Sequence, residues 1–423
     1  MPRTRSSRTA WRGRGEAVGE LIRERLLDLL RPTPDDWADW KWHFRHRITS
    51  ASALARIVPM EADVVRRLEA VTVKFPMSIT PYYLGLVRDG DPDDPILLQS
   101  IPDVREAELA DVGADDPLDE AADSPVPGLV HRYPDRALLV VTDICPLLCR
   151  HCTRKREWES GNWVRRPSEI AAAVAYIRAT PAIRDVIISG GDPLTLDNGR
   201  LADILGHLRA IPHVEIIRFG TRFPVVLPQR IDAEFCRICD RYGPIWLNTH
   251  FNHPDEITPE AERAVRDLLR AGVPVNNQAV LLRGINDTVD VQKRLSHALL
   301  RIRVRPYYLY HADEVRGTEH LRTPVERGLE ILAGLRGHTS GLGVPTFVID
   351  VPGGGGKIPL QPNYVVSWND DALLVRNYEG LTFTYRNPAG DAAREPAAPA
   401  IRPDASARLE RRRQRSDAAP TPP

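Results

Sequence analysis

The central part of the chain alternates between short apolar runs and longer stretches whose apolar residues recur with helical period. The apolar runs predict strands at 137–142, 185–189, 215–219, 245–249, 275–281, 303–310 and 345–349. The helical stretches lie at 168–179, 201–210, 233–241, 259–271, 291–302 and 325–335. This repeat of about 30 residues has the size of a βα unit. The pattern therefore predicts an α/β fold built on a partial or complete parallel (β/α) barrel.

The chain on either side of these repeats lacks the alternation. We expect an N-terminal helical region before the barrel, a C-terminal extension after it and a disordered tail at each end. In the helical region, Trp37, Trp40 and Phe44 share one helical face and are predicted to be core residues. The predicted boundaries are 1–15 for the basic tail, 16–128 for the helical region, 129–357 for the barrel core, 358–390 for the C-terminal region and 391–423 for the second tail.

The overall composition argues against several classes of function. Lys plus Arg and Asp plus Glu each number 57, so the formal net charge is zero and gives no basis for nucleic acid as a partner. No apolar run approaches the roughly 20 residues that cross a bilayer, so we expect no membrane partner. Five cysteines in 423 residues do not make a disulfide framework.

Three of the cysteines, Cys145, Cys149 and Cys152, follow the first predicted strand with the spacing C-x3-C-x2-C. Zinc sites and four-iron clusters usually take four protein ligands, so three thiolates on a four-iron cluster would leave one iron open for chemistry. The alternatives are a structural metal site or three buried thiols. A labile cluster needs a reducing compartment, which predicts a cytoplasmic protein. Cys236 and Cys239 lie in a helical pattern, which favours two buried thiols over a second metal site.

A glycine run ends at Lys357 after the last predicted strand. Val351 and Ile358 occupy the positions where a P-loop needs Gly and Ser or Thr, so we exclude a nucleoside triphosphate site. A lysine beside such a run can form a Schiff base with a carbonyl cofactor, and the alternative is a flexible loop with a solvated lysine. Arg132 and Arg136 precede the first strand, where guanidinium groups suit a phosphate or belong to an ordinary charged turn.

Six segments, taken in order, make a far more specific pattern than any one of them. They are DSPVPGLVHRYPDR (123–136), CPLLCRHCTRKR (145–156), LNTHFNH (247–253), NQAVLLRG (277–284), GLRGHTS (334–340) and PGGGGK (352–357). In these segments the chain resembles the lysine 2,3-aminomutase family of radical S-adenosylmethionine enzymes. The resemblance runs from the Trp-rich helix to about residue 385.

The resemblance implies three cofactors and a role for each candidate residue. Cys145, Cys149 and Cys152 would hold a [4Fe–4S] cluster. S-adenosyl-L-methionine would lie among His151, Gly190, Gly191, Asp192, His250 and Gln278. Pyridoxal 5′-phosphate would be carried by Lys357, the catalytic residue, with Arg132, Tyr133 and Arg136 around it. Arg154 would bind the substrate α-carboxylate, and Asp313 and Asp350 its distal cation.

The activity implied is that of an isomerase. A 5′-deoxyadenosyl radical and pyridoxal phosphate would move the α-amino group of L-lysine from C2 to C3 to give β-lysine. Two aspartates would repel the distal carboxylate of glutamate, so the substrate should be cationic. Arginine, giving β-arginine, is the alternative, because the stretch 314–316 beside Asp313 departs from the family pattern.

The resemblance also implies an electron-donor protein and a homo-oligomer. One departure concerns a structural zinc of the family: Thr288 stands where the family has a cysteine and no cysteine follows Cys239, so we predict no such zinc. Two other functions stay open from the sequence, namely a radical enzyme that modifies a protein lysine and a metal-binding module without activity.

Overall fold

A nine-stranded sheet forms the centre of the computed structural model, which describes residues 18–88, 93–159 and 161–388. Its strands follow one another in sequence order, and the second to the eighth strands pair with one another in parallel. The two edge strands run antiparallel to the strands beside them. The bounds are β1 Leu129–Tyr133, β2 Arg136–Val140, β3 Asp185–Ser189, β4 Ile216–Gly220, β5 Ile245–Thr249, β6 Val275–Leu281, β7 Arg305–His311, β8 Thr346–Val351 and β9 Gly356–Leu360.

The sheet is barrel-shaped and nearly closed, with a helix between most consecutive parallel strands. The fold-class prediction is therefore confirmed. The helices that follow β2 to β7 are α9 Pro167–Arg178, α10 Asn198–Arg209, α11 Phe223–Val226, α12 Ala233–Arg241, α13 Pro259–Arg270, α14 Val289–Arg301 and α15 Val325–Leu335. Side chains cap several of them: Asp232, Thr258 and Thr288 each accept a hydrogen bond from a backbone N–H of the first turn.

The N-terminal region is helical, as predicted, but its aromatic segment is broken at Asp39. The Asp39 carboxylate accepts hydrogen bonds from the backbone N–H groups of Lys41 and Trp42, at 2.9 and 3.1 Å, and so starts a new helix. Trp42 is buried in place of the predicted aromatics, which are only partly buried. The helices are α1 Val18–Leu30, α2 Pro34–Ala38, α3 Trp40–Arg45, α4 Ala51–Ala55, α5 Ala62–Lys74, α6 Pro81–Leu84, α7 Pro95–Ser100 and α8 Arg105–Glu108.

The N-terminal helices share one hydrophobic core with the barrel. Leu26 and Tyr83 are fully buried in the same apolar cluster as Ile188 and Leu247 of the sheet. A direct hydrogen bond joins Thr80 Oγ1 to the carbonyl of Val226, at 2.8 Å. The core therefore extends beyond the βα repeats and fixes the N-terminal helices against them.

The chain divides into two compact units after Leu360. In the second unit, the described residues form a three-stranded antiparallel sheet with mostly exposed side chains. Its strands are β10 Val365–Trp368, β11 Ala372–Arg376 and β12 Thr382–Arg386. The tails predicted at 1–15 and 391–423 lie outside the described residues. No helix in the described part of the chain combines the length and the hydropathy that crossing a bilayer requires.

Candidate active site

A cavity of about 530 Å³ lies on one face of the nine-stranded sheet. Alternate residues of single strands line it, such as Arg218 and Gly220 of β4 or Gln278 and Val280 of β6, which identifies this face as the inner one. The cavity brings together every site residue predicted from the sequence. These are Arg132, Tyr133, Arg136, Cys145, Cys149, His151, Cys152, Arg154, Gly190, Gly191, Asp192, His250, Gln278, Asp313, Asp350 and Lys357.

The cysteine loop, residues 145–152, follows β2 and is held by the N-terminal helices. Arg47 donates to the carbonyl of Cys145 at 2.8 Å, and the backbone N–H of Arg150 donates to the carbonyl of Gln99 at 2.9 Å. A loop that connects two elements would otherwise keep considerable freedom, so these bonds fix where its thiols lie.

A buried ion-pair network formed by Glu106, Arg150 and Lys155 also holds the cysteine loop in place. The Glu106 carboxylate, fully buried, accepts two hydrogen bonds from Arg150 at 2.9 and 2.5 Å and one from Lys155 Nζ at 2.7 Å. Burial opposes the charge of Glu106, but the two cations outweigh it and hold the pKa of Glu106 below its ordinary value. Burial lowers the pKa of Lys155 to about 8. The sequence alone did not point to Glu106.

The donor set of the loop fits an iron–sulfur cluster. All three thiols face the cavity, and two receive N–H donors: the backbone N–H of Arg154 lies 3.3 Å from Cys152 Sγ, and Arg222 Nη1 lies 2.9 Å from Cys149 Sγ. Among the described residues, no three His, Cys, Asp or Glu side chains converge as one bound metal ion requires. A four-iron cluster takes each thiolate on a different iron and does not need that convergence.

The glycine pair after β3 is required by a close approach of two backbones. A Cβ built on Gly190 would lie 2.3 Å from the carbonyl oxygen of Thr142, and one on Gly191 would lie 2.4 Å from the carbonyl carbon of Asp143. Asp192 then accepts hydrogen bonds from Thr221 Oγ1 and from the backbone N–H of Arg222, both at 2.7 Å. Burial raises the pKa of Asp192 to about 6.

The two histidines of this part of the cavity are neutral at pH 7. Burial lowers the pKa of His250 to about 4, with the charge of Arg222 adding to the effect, and it lowers that of His151 as well. Gln278 donates to Tyr310 Oη at 3.1 Å. Neutral imidazole, amide and backbone groups can hydrogen-bond the polar parts of a nucleoside and of an amino acid, which fits S-adenosylmethionine.

Lys357 lies in β9 opposite Asp350 of β8. Its Nζ contacts both carboxylate oxygens of Asp350 at 2.9 Å and lies 5.2 Å from the ring centre of Tyr310. The glycine run makes the turn before it, and Gly356, with φ +85°, leaves room for the hydroxyl of Tyr133, to which the backbone N–H of Lys357 donates at 3.0 Å. This bond links the two edges of the sheet.

The cationic groups near Lys357 fit a phosphate. The Arg132 guanidinium is oriented by Asp123, at 2.7 Å, and by the carbonyl of Leu118. Arg136 lies over the ring of Tyr133, at 4.2 Å from its centre. A primary amine with guanidinium groups on the same cavity is the donor set that an aldehyde bearing a phosphate requires.

Glu120, Arg154 and Asp313 also line the cavity. Arg154 makes two hydrogen bonds to the Glu120 carboxylate, at 2.9 and 2.6 Å, and one to the carbonyl of Gly190, at 3.2 Å. Asp313 accepts a hydrogen bond from Thr153 Oγ1 at 2.8 Å. Burial raises the pKa of Asp313 to about 6.

Sequence reasoning missed several polar groups that line or support the cavity. Glu120 and Glu256 carry no signal in the local sequence, because their partners are distant along the chain. Arg222 could have been found, since it directly follows the end of a predicted strand at the mouth of the barrel. Of the two thiols predicted to be buried, Cys239 is buried and Cys236 is only partly buried.

Comparison with known proteins agrees with this geometry. Residues 139–292 match the family model described as the radical SAM superfamily, and residues 332–407 match the one described as lysine-2,3-aminomutase. The chain is 51% identical over 365 residues to the L-lysine 2,3-aminomutase of Clostridium subterminale, covering 86% of this chain and 88% of that one. It is 49% identical over 364 residues to the L-lysine 2,3-aminomutase of Bacillus subtilis (strain 168), covering 86% and 77%.

A glutamate 2,3-aminomutase, from Clostridioides difficile (strain 630), is also related, at 43% identity over 359 residues, with 85% of each chain covered. Similarity at this level across most of both chains confirms the resemblance seen in the sequence. The protein therefore belongs to the lysine 2,3-aminomutase family within the radical SAM superfamily, and it is an isomerase of that class.

Proposed function

We propose that the protein converts L-lysine to β-lysine by moving the α-amino group from C2 to C3. The observation that carries the proposal is that three cysteine thiols, the Lys357 amine and the carboxylates of Asp313 and Asp350 all line one cavity. Residues that line one cavity could hold the cofactors and the substrate close together and limit their exposure to water.

Different residues of the cavity would hold the different cofactors. Cys145, Cys149 and Cys152 would hold the [4Fe–4S] cluster, and Lys357 would bind pyridoxal 5′-phosphate with Arg132, Tyr133 and Arg136 near the phosphate. When bound, the cluster and S-adenosylmethionine supply a 5′-deoxyadenosyl radical, and pyridoxal phosphate supplies the electron delocalisation for the migrating amine. The residues of the chain hold these groups in place and exclude water.

Asp350 and Asp313 support a cationic substrate. In the structure the Lys357 ammonium neutralises Asp350. The Asp350 carboxylate therefore accepts a primary ammonium in this cavity, and with Asp313 it could do the same for the distal ammonium of a substrate. A charge-assisted hydrogen bond of this kind contributes about 1.5–3 kcal/mol. The distal carboxylate of glutamate would instead face two like charges.

The departure that left arginine open lies outside the cavity. Glu314 pairs with Arg322 at 3.1 Å, and Arg316 pairs with Asp115 at 2.7 Å. None of residues 314–316 lines the cavity. The departure therefore does not favour arginine, and we propose lysine, the amino acid named for the related enzymes.

Arg154 is suited to the α-carboxylate because Glu120 fixes its plane. Two parallel hydrogen bonds to Glu120 hold one edge of the guanidinium, and a fork of five N–H donors keeps further donors for a ligand. Desolvation opposes the charge of Glu120, but Arg154 and Arg156 hold its pKa at about 2, so Glu120 stays ionised throughout the working range of pH.

The proposal includes two partners outside the cavity. The cluster needs one electron for each radical formed, which we assign to a reducing electron-donor protein in the cytoplasm. A homo-oligomer remains a prediction from the resemblance alone.

The direct test is turnover by protein reconstituted anaerobically with iron, sulfide and pyridoxal phosphate. L-lysine, L-arginine and L-glutamate are supplied separately with S-adenosylmethionine and dithionite, and products are separated by chromatography. We expect β-lysine and little or no β-arginine or β-glutamate. Preferential formation of β-arginine would move the assignment to arginine. Cleavage of S-adenosylmethionine with no β-amino product would favour a radical enzyme acting on a protein lysine.

A further inference from the structure

Arg222 is a buried arginine that none of the roles above requires. It follows β4, is 8% exposed and lines the cavity beside the cysteine loop. Its Nη1 lies 2.9 Å from the Sγ of Cys149, and it is therefore a cation in contact with one of the three sulfur atoms.

The other two side-chain nitrogens of Arg222 donate to acceptors on separate elements. Nη2 donates to Glu256 Oε1 and to Gln99 Oε1, both at 2.7 Å, and Nε donates to the carbonyl of His250 at 3.1 Å. Because the guanidinium is planar, these bonds fix the direction in which Nη1 points. A lysine at this position would be a point charge without that fork and could not make the same set of contacts.

Contacts other than the one with Arg222 also fix the position of the Glu256 carboxylate. It is fully buried and accepts hydrogen bonds from Tyr83 Oη at 2.6 Å and from the backbone N–H groups of Asn252 and His253, at 2.5 and 2.9 Å. The arrangement is therefore a chain of contacts from a buried carboxylate through a guanidinium to a sulfur atom, assembled from both the N-terminal helices and the barrel.

We propose that Arg222 is a positioning residue that raises the reduction potential of the cluster through its hydrogen bond to Cys149, and that Glu256 limits the size of this effect. The proposal rests on the proposed function, since it requires a cluster on the three cysteines. Reduction of the cluster takes one electron from a low-potential one-electron donor and adds one negative charge. A hydrogen bond to a cluster sulfur and a nearby positive charge both favour the reduced form.

The test is a redox titration of the reconstituted protein, followed by the electron paramagnetic resonance signal of the reduced cluster. In Arg222→Lys we expect reduction to become about tenfold less favourable, which is a shift of about 59 mV to more negative potential for one electron. In Glu256→Gln, which removes a negative charge but keeps an acceptor of the same shape, we expect a shift in the opposite direction.

Arg230→Lys is the matched control. Arg230 is also buried and donates to the carbonyl of Leu194 at 2.8 Å, but it does not line the cavity. Its variant should titrate like the wild type. Iron and sulfide are measured for every variant, so that loss of the cluster is not mistaken for a change of potential.

Each outcome decides the proposal. A fully loaded Arg222→Lys protein that titrates like the wild type overturns it. If Arg222→Lys does not retain iron, Glu256→Gln decides, and an unchanged or more negative potential overturns the proposal. If both lose iron while Arg230→Lys retains it, Arg222 serves only to retain the cluster, and the assignment to potential is wrong. A wild-type protein that takes up no cluster, or that forms no β-lysine, instead contradicts the proposed function.

Discussion

The cysteine loop and the hairpin that carries Lys357 face the same cavity but are held in opposite ways. The loop is held by buried charged groups: its own Arg150 and the partner Glu106 are fully buried, and Arg222, which contacts Cys149, is 8% exposed. The Lys357 side chain is 34% exposed and is held by one ion pair at the edge of the sheet.

This difference fits the role proposed for each region. The cysteine loop would hold a cluster in a fixed position, and its contacts with the N-terminal region restrain it. A lysine that binds a carbonyl cofactor must release it when a substrate amine takes its place, so it cannot be locked in the core. We therefore expect changes at the loop to act on stability and cluster retention, and changes at the hairpin to act on the cofactor alone.

The largest effect is expected from Lys357→Ala, which tests whether the hairpin is independent of the loop. We expect β-lysine formation to fall by about 10³-fold or more, because a group bonded to the cofactor is lost. The absorbance of bound pyridoxal phosphate should disappear while the iron content stays at the wild-type level. Lys293→Ala, outside the cavity, is the control. An unchanged pyridoxal absorbance in Lys357→Ala would remove this residue from its role.

The second prediction concerns the anchor of the loop. Glu106→Gln leaves Arg150 and Lys155 buried without their carboxylate, so we expect the free energy of unfolding to fall by about 3–5 kcal/mol. Asp290→Asn removes an exposed partner of Arg294 and should cause little change. Anaerobic urea unfolding of both reconstituted proteins measures the difference. Equal stabilities would show that the buried network does not anchor the loop.

The third prediction concerns substrate binding and uses a variant that changes neither the cysteine loop nor the hairpin that carries Lys357. Asp313→Asn removes one of two charges proposed to bind the distal ammonium, and kcat/KM for L-lysine should fall about 10–100-fold. Glu314→Gln changes the next residue, whose carboxylate pairs with Arg322 instead, and should behave like the wild type. Steady-state kinetics on matched, fully loaded proteins give both values. A similar loss in the two variants would argue against a specific role for Asp313.

The smallest effect is the pH dependence of kcat/KM for L-lysine, which we also attribute to the charge of Asp313. Burial raises the pKa of Asp313 to about 6, so its carboxylate is mostly ionised at pH 7 and becomes protonated as the pH falls through 6. Between pH 7 and pH 5, kcat/KM for L-lysine should fall about tenfold from this group. Asp192 also titrates near pH 6, so the comparison is with Asp313→Asn. The plot of kcat/KM against pH for Asp313→Asn should lack the inflection near pH 6 that we assign to Asp313. If the inflection persists in this variant, it belongs to another group.

The two regions also differ in how far the sequence could predict them. The apolar period located β3, β5 and β6 with their final bounds, because each of these central strands carries buried apolar residues, such as Ile188, Leu247 and Ala279. It missed β1 and β9, which are edge strands with partly exposed residues, and so it missed the bond from Lys357 to Tyr133. The break at Asp39 was missed because a capping side chain acts through local geometry that periodicity does not show.

For the site, short motifs located residues that line the cavity but not the buried charged groups that hold those residues in place. The cysteine spacing and the strand ends identified the groups that line the cavity. Glu106 and Glu256 could not be found in this way, since their partners Arg150 and Arg222 lie on other elements and only the packed core brings them together. Long-range charge pairing is a property of the fold, and spacing along the chain does not contain it.

The central claim is that the cofactors which the three thiols and Lys357 would hold serve one substrate in one cavity. The most direct test is turnover of L-lysine carrying deuterium at C3, with mass spectrometry of both the β-lysine and the 5′-deoxyadenosine. The account predicts β-lysine together with deuterium in the 5′-deoxyadenosyl group, since a hydrogen must pass between the ligands at the two ends of the cavity. Formation of 5′-deoxyadenosine without deuterium and without β-lysine would contradict it.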